Sequence, residues 1–551
     1  MNKLTILNSI IILLNSFLPF GFTGNLNSSA ENVQKAIVYA IPEGEKIDDI
    51  FKDDDTSRVI KKVSIDAQEV DCYGARLSKT PTNVVYTGKQ RPLEHTEIGS
   101  FVSFDMTDSA EIKIPLPAGV KGDDVRIRPT SKSIKPTVES GTVTFTISQT
   151  GQYSVEIDGR HNILTIFANA PETPNKDATY YFAPGVYNIG RLHLKDNESV
   201  YIEAGAVVYG EIDATDVKNV SVSGRGILNG SKVLRVTDYW GDTREHGLVH
   251  FTRCQNVKMD GVILFDSVLF TVTAINSYDM DLNNVKVIGN WRYNSDGFDF
   301  INSQDVHVSN CYLRAFDDVI VIKGICYTEP DGSRIVEKTN NLNYLIENCV
   351  VWCDWGGSLE VGAETVADKY DNIVYRNCDI IHQDQGALRI NAGDRAYISN
   401  LKYENINIEY SKYDEESKYQ EPEEEYVKSD IPAHNNVILA RLYNGDWSPD
   451  DLVGRVDNVT YLNINVIKDK EVPTPTNFFS GIDEEHSINN ITIKNYMING
   501  KEVVPEIEKN DFVYNLNAKK PPLIKRIIQF LSDAFYSAVD FVKGLFGNIE
   551  K

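Results

Sequence analysis

The chain has 551 residues with 79 acidic and 55 basic side chains, a formal net charge of −24. A field of that sign repels nucleic acid and anionic membrane surfaces, so neither is expected as a general partner, and a polyanionic substrate needs a local basic groove. Hydrophobic content of 42% and 36 glycines exclude a disordered chain and suit strands and turns, in more than one domain or in one domain joined to a repeat array.

Residues 1–30 read as an export signal. Lys3 precedes an apolar stretch from Leu4 to Phe22, interrupted by Asn8, Ser9, Asn15, Ser16 and Pro19, and small residues follow around Gly24 and Ala30. A secreted, extracellular protein is expected; a retained membrane anchor is the alternative that the interruptions disfavour. Residues 31–174 alternate short apolar and polar runs, among them Val143-Thr-Phe-Thr-Ile147 and Tyr153-Ser-Val-Glu-Ile157, bounded by turn signals at Glu139-Ser-Gly141 and Asp158-Gly159. That pattern predicts an N-terminal β-sandwich, whose last strand, Ile163-Leu-Thr-Ile-Phe167, leads into the linker Pro171-Glu-Thr-Pro174.

Repeats fill residues 175–515. The unit is Asn or Asp followed by an alternating strand: Asn219-Val-Ser-Val, Asn256-Val-Lys-Met, Asp305-Val-His-Val and Asn343-Tyr-Leu-Ile, then strands opening at Asn372, Asn400, Asn458 and Asn490. A second asparagine often follows five residues later, at Asn310, Asn348, Asn377, Asn405, Asn463 and Asn495. Two asparagines held in phase predict the coils of a parallel β-helix with side-chain amides bonding between them. Cys311, Cys349 and Cys378 recur at one place in the unit, so they are expected to stack as small buried residues rather than form disulfides. A zinc site at Cys349 and Cys353 lacks a second close pair.

An insertion from Tyr410 to Ile431 carries Asp414-Glu-Glu416 and Glu423-Glu-Glu425, read as a solvated charged loop. Tyr413, Tyr419 and Tyr426 interleave with these acids and make a sugar-stacking rim the alternative. Residues 516–551 place Leu523, Ile527, Phe530, Leu531, Phe535 and Phe541 at helical spacing, which predicts a C-terminal amphipathic helix. It is expected to dock on the protein or cover the open end of the coils. Weak membrane or surface contact is the alternative, disfavoured by only three basic residues between Leu523 and Gly547.

Chemistry concentrates in Asn294-Ser-Asp-Gly297 and Phe316-Asp-Asp318, with 21 residues from Asp296 to Asp317, about one coil. Three carboxylates are then expected one above another in coils about 4.8 Å apart. Like charges that close do not all ionise, so at least one holds its proton near neutral pH. A protonated acid beside an ionised base is what acid–base cleavage of a glycosidic bond requires. Spacing alone does not assign the roles. His307 alternates within a strand and reads as packed or solvent-facing, while His382 lies near Arg389 and is a secondary site candidate. Trp291, Tyr293 and Trp355 flank the acidic motifs, where rings can stack on sugars or pack in a core.

At these motifs the chain resembles polygalacturonase-like glycoside hydrolases of the family 28 type, and the related family 49 dextranases that share their β-helix. The likeness runs from about 180 to 500. It begins at Phe182-Ala-Pro-Gly185, Leu192-His-Leu-Lys-Asp-Asn197 and Tyr201-Ile-Glu-Ala-Gly-Ala-Val-Val-Tyr-Gly210. Beyond these come Ser223-Gly-Arg-Gly226, the two acidic motifs and Val321-Ile-Lys-Gly324. The resemblance implies an all-β fold, a right-handed parallel β-helix, and inverting hydrolysis of a polysaccharide or oligosaccharide without cofactor or metal. Asp317 would be the general acid, and Asp296 and Asp318 would hold and deprotonate the attacking water. Arg389, Asn294, Lys323 and Trp355 are the candidate substrate-binding residues, and a monomer is expected. Two positions depart from the family pattern: Gly357 stands where polygalacturonases have histidine, and Asn391 where they have lysine. Both departures put a pectic substrate in doubt. A Ca²⁺-dependent polysaccharide lyase and a non-catalytic glycan-binding β-helix are the rival readings.

Overall fold

The computed structural model describes residues 35–79, 82–84, 91, 93–234, 247–325, 327–328, 334–335, 339–415, 418–420, 427–428, 436–445, 448 and 452–518. Hydrophobic alternation builds the first part. Val143, Phe145 and Ile147 are buried while Thr146, between them, is exposed. Their strand, Thr142–Ile147, joins Thr137–Glu139 through Ser140 and Gly141, at φ 49° and 74°, the two left-handed residues of a tight hairpin. Together with Lys62–Ile65, Gln68–Asp71 and Ala110–Pro115 they form one sheet. A second sheet contains Ala36–Val38, Tyr73–Ser78, Thr96–Met106, Val125–Arg128, Gly151–Ile157 and Ile163–Asn169, and the two close on a shared apolar core.

The outer face of that second sheet does not meet water. Ser154 and Glu156, the polar members of the Tyr153–Ile157 alternation, are 0% and 1% exposed. Ala75, Leu77, Phe101, Ile163 and Phe167 pack there against Phe265, Tyr312, Val350 and Trp352 of the repeat region. Each such large apolar side chain contributes roughly 1.5–3 kcal/mol by its burial. Charged groups close the same seam: Arg128 bonds Glu156 at 2.8 Å and pairs with Glu409 of the repeats.

From Tyr180 to Ala518, strands pair with their equivalents one coil later, almost always in parallel. A typical coil has three strands, as in Gln304–Ser309, Tyr312–Ala315 and Ile320–Gly324, which define a first, a second and a third face. They pair in turn with Asn340–Glu347, Val350–Cys353 and Leu359–Thr365. This is a parallel β-helix, and the N-terminal sheet lies on its second face.

The recurring asparagines sit where the chain turns left-handed. At the entry to the first face, Asn219, Asn256, Asp305, Asn343, Asn372, Asn400, Asn458 and Asn490 have φ between 53° and 60°. At its exit, Asn310, Asn348, Asn377, Asn405, Asn463 and Asn495 have φ between 53° and 56°. Asparagine and aspartate tolerate this conformation better than other side chains with a Cβ. The amides also bond between coils, Asn405 Nδ2 donating to Asn377 Oδ1 at 2.9 Å and Asn463 Nδ2 to Asn405 Oδ1 at 2.6 Å. A further coil, outside the repeats read from the sequence, has the same corner. Its first-face strand is Tyr278–Asn283, with Asp279 at φ 58° in the usual place.

Inside the coils, Cys311, Cys349 and Cys378 are buried free thiols that each donate to the carbonyl two residues earlier, at 3.2–3.3 Å. Tyr375, Tyr403 and Tyr461 stack at 5.0 and 5.1 Å between ring centres. The last described strand, Asn517–Ala518, pairs with Thr492 and Ile493, so strand pairing continues beyond 515. The expected signal at 1–30 and the helix positions from Leu523 onward lie outside the described residues, as does Tyr426. Tyr419 belongs to a short strand, Lys418–Gln420, that pairs with Thr82–Val84.

Asn405→Ala and Asn405→Gly both remove the amide bonds, but only alanine adds the left-handed strain. Alanine is therefore expected to cost roughly 1–2 kcal/mol more than glycine, measured as the difference in urea unfolding midpoints. Equal losses would show that the corner conformation is not what selects asparagine.

Candidate active site

Third-face strands Phe298–Ile301, Ile320–Gly324, Leu359–Thr365 and Leu388–Ala392 follow one another in successive coils. Phe300, Ile322, Val361 and Ile390 point into the core. Strand alternation therefore sends Asp299, Lys323, Glu360, Arg389 and Asn391 outward. Tyr375 and Tyr403 brace two of these strands from inside, their hydroxyls donating to the carbonyls of Glu360 at 2.9 Å and Arg389 at 3.2 Å.

The corner preceding these strands carries the acidic motifs. Gly297 N donates to Asp318 O and Val319 N to Gly357 O, both at 2.8 Å, so Asp296, Asp318 and Gly357 form one column. Asp317 sits on the turn beside it. The glycines permit the close approach: a Cβ on Gly297 would meet Val319 O at 2.2 Å.

Lys323 organises the carboxylates. Its Nζ lies 2.9 Å from both Asp296 and Asp299 and 3.6 Å from Asp318. It also stands 4.5 Å over the Phe270 ring. Arg389 lies 3.2 Å from Glu360 and 3.9 Å from Asp318, whose Oδ1 accepts from Gly357 N at 2.8 Å. Among the described residues no cation is within ion-pair distance of Asp317; its Oδ1 accepts only from the Asp318 amide, at 3.1 Å.

The electrostatic consequences differ between neighbours. Burial, opposed by Lys323 and reinforced by Asp318, pushes Asp296 up to about 6. Desolvation and then the charges of Asp296 and Asp318 push Asp317 well above the carboxylate range. Burial raises Asp299 well above that range as well, although Lys323 opposes it. Glu360 is raised to about 8, by burial against the pull of Arg389 and with a push from Asp318. The corner thus holds two proton-retaining acids, Asp299 and Asp317, and of these only Asp317 lies apart from the buried ammonium.

The structure brings Asp296, Asp317, Asp318, Lys323 and Arg389 together. Asn294 is half-buried at φ 54°, two residues before Asp296. Trp355 departs from the expected substrate-facing role. It is 3% exposed and stacks on Phe316, in a cluster with Tyr293 that is capped by the Arg91 guanidinium 4.0 Å over the Phe316 ring. The apolar surroundings of Phe316 draw the indole behind the acidic turn rather than out of it. Trp291 is buried too. His382 lies elsewhere, on the second face between Glu156 at 2.6 Å and Asp414 at 2.9 Å, and belongs to the seam with the N-terminal sheet. His307 pairs at the surface with Asp281 and Glu347. Tyr413 bonds Asp124 at 3.1 Å and packs under Arg126, so it too serves the seam rather than a sugar rim.

Two residues of the cluster escaped the motif reading, Asp299 and Glu360. Each is the lone charge at an outward position between buried apolar neighbours, in Phe298-Asp-Phe300 and Leu359-Glu-Val361. That signal is visible once the strand register is known.

The family model of "Glycosyl hydrolases family 28" matches residues 194–430, a span that contains all three aspartates and Arg389. A probable endopolygalacturonase D of Neosartorya fischeri is 23% identical over 317 residues, covering 51% of this chain and 60% of that protein. A probable rhamnogalacturonase C of Aspergillus niger is 24% identical over 277 residues, covering 47% of this chain and 55% of that one. The chain thus matches little more than half the length of these curated relatives. Among solved structures, Dex49A from Penicillium minioluteum superposes with a TM-score of 0.55 at 15% identity, covering 87% of this chain and 95% of that one, a likeness of fold. Across residues 194–430, within its β-helix, the chain is thus polygalacturonase-like in sequence, a relative of the family 28 glycosyl hydrolases.

Proposed function

We propose that this protein is a secreted hydrolase of O-glycosidic bonds in pectin-like polysaccharides, working by inversion at the corner formed by Asp296, Asp317 and Asp318. The observation that carries the reading is the unequal sharing of Lys323. Its ammonium contacts Asp296 and Asp318 but not Asp317. Carboxyl groups whose environments push their pKa values apart divide into acid and base. Asp317, without a cation, keeps its proton and delivers it to the bridging oxygen as the C1–O bond breaks. Asp296 and Asp318, charge-balanced by Lys323, orient a water, take its proton and direct its oxygen to C1 from the opposite side. A lyase needs a free basic group to abstract a proton. Lys323 is raised well above its usual range by Asp296 and Asp299 after burial is overcome, so it holds its proton. Arg389 is likewise committed to Glu360 and Asp318. Export rests on the apolar N-terminal stretch after Lys3, and the organisation proposed is an N-terminal β-sandwich to about 174 followed by the catalytic β-helix.

Asp317→Asn is expected to lower reducing-end release from pectic polysaccharides by at least about a thousandfold, and NMR of the wild-type product should show the inverted anomer first. A carboxyl with a raised folded pKa binds more protons folded than unfolded, so it costs stability as pH climbs from about 4 toward that value. The Asn variant should therefore melt above wild type at pH 7–8, with the gap closing toward pH 4. Full activity in the variant would remove Asp317 from the reaction.

Because the base must be ionised, kcat/KM should fall as pH drops through the region near 6 where Asp296 titrates. Lys323 favours the ionised form, so Lys323→Gln should move this acid limb to higher pH. A limb that stays in place or moves down would separate Lys323 from the base.

A further inference from the structure

Next to the acidic corner, the space above Gly357 is already filled. A Cβ built on Gly357 would meet Glu360 Oε2 at 1.9 Å, Arg389 Nη1 at 2.9 Å and Arg389 Cδ at 3.0 Å. The Glu360 carboxyl leans from its own strand over the backbone of the Gly357 turn and takes the Nη1 edge of Arg389 at 3.2 Å. Register puts the two side by side, Glu360 opposite Arg389 on adjacent coils, and both are buried, at 1% and 7% exposure. Among the described residues, the guanidinium's other acidic partner is Asp318, at 3.9 Å. One coil further on, Arg441 Nε is bound to Asn391 Oδ1 at 2.6 Å, and its guanidinium lies 4.6 Å from the Tyr443 ring centre.

A sugar carboxylate brought to this point meets four acidic groups, Asp296, Asp299, Asp318 and Glu360, that already share two cations, Lys323 and Arg389, and a fifth, Asp317, that pairs with neither. It would gain a bidentate partner only by displacing Glu360, whose buried carboxyl would lose its partner on the guanidinium. A sugar hydroxyl or hydroxymethyl group carries no such conflict. It accepts from Arg389 and donates to Glu360 or Asp318 with the existing pair intact.

We infer that Glu360, by occupying Arg389 above Gly357, makes the subsite beside Asp318 select an uncharged glycosyl unit over a uronate. The inference rests on the hydrolase reading for its site but concerns binding, so it can be tested without turnover. The probes are polygalacturonate, and the same polymer with its carboxyl groups reduced to hydroxymethyl groups. Affinity electrophoresis of the full-length Asp317→Asn protein in gels holding one or the other measures retention with chemistry disabled. Stronger retention by the reduced polymer is expected. Adding Glu360→Gln should remove the competing carboxyl and raise relative retention by polygalacturonate about tenfold, some 1.4 kcal/mol. Stronger retention of the Asp317→Asn protein itself by polygalacturonate would overturn the inference, whether or not the Gln variant folds. So would a folded Gln variant whose relative retention by the two polymers is unchanged. Loss of hydrolysis by wild type with this binding order intact would count against the catalytic reading alone.

Discussion

Coils that repeat about every 4.8 Å set each residue against its equivalents in the turns before and after. Everything distinctive here is a response to that enforced contact. Asparagines answer it with amide-to-amide hydrogen bonds, tyrosines with stacked rings, and cysteines with small thiols that bond their own coil. Carboxylates have no such answer, since stacking them brings like charges together in a poorly hydrated corner. Asp296 and Asp318 occupy one column only because Lys323, on the outward side of the strand that follows Asp318, inserts its ammonium between the two coils. The ammonium is shared by three of the four aspartates, and the unequal sharing leaves Asp317 in surroundings unlike those of its neighbours.

The N-terminal sheets matter to this corner without supplying its acids. They seal the second face through apolar side chains and the Arg128–Glu156–His382 network, which leaves the third face to carry the polar column. Arg91 reaches under Phe316 and donates to Ser78 Oγ and to the Trp291 carbonyl, both at 3.0 Å, so the ring beneath the acidic turn is held from both sides. Buried ion pairs of this kind stabilise little by themselves, yet removing one partner leaves an uncompensated charge. The seam is therefore better described as fixing the position of the turn than as adding stability.

Much of this was legible before any coordinates. The asparagine phase marked the coils because each corner needs a left-handed residue, a requirement of one residue's own backbone. The coil at Asp279 was passed over, although aspartate meets that requirement there as it does at Asp305. The pairing of Asp296 with the Asp317–Asp318 turn followed from spacing. Trp355 and His382 were less legible, since a ring near an acidic motif in the chain turns inward or outward according to what lies behind it. Behind Trp355 stands Phe316, and opposite His382 stands Glu156 of the N-terminal sheet.

Local chemistry written in the chain determined where the backbone turns and which acids fall one coil apart, because both depend on residues close in sequence or held at a fixed period. Tertiary structure decided which acid keeps its proton and which cation is already spent. Those properties depend on distances of about 3 Å between side chains from different coils. Lys323 among Asp296, Asp299 and Asp318, and Glu360 against Arg389, are contacts whose strength no one-dimensional spacing specifies.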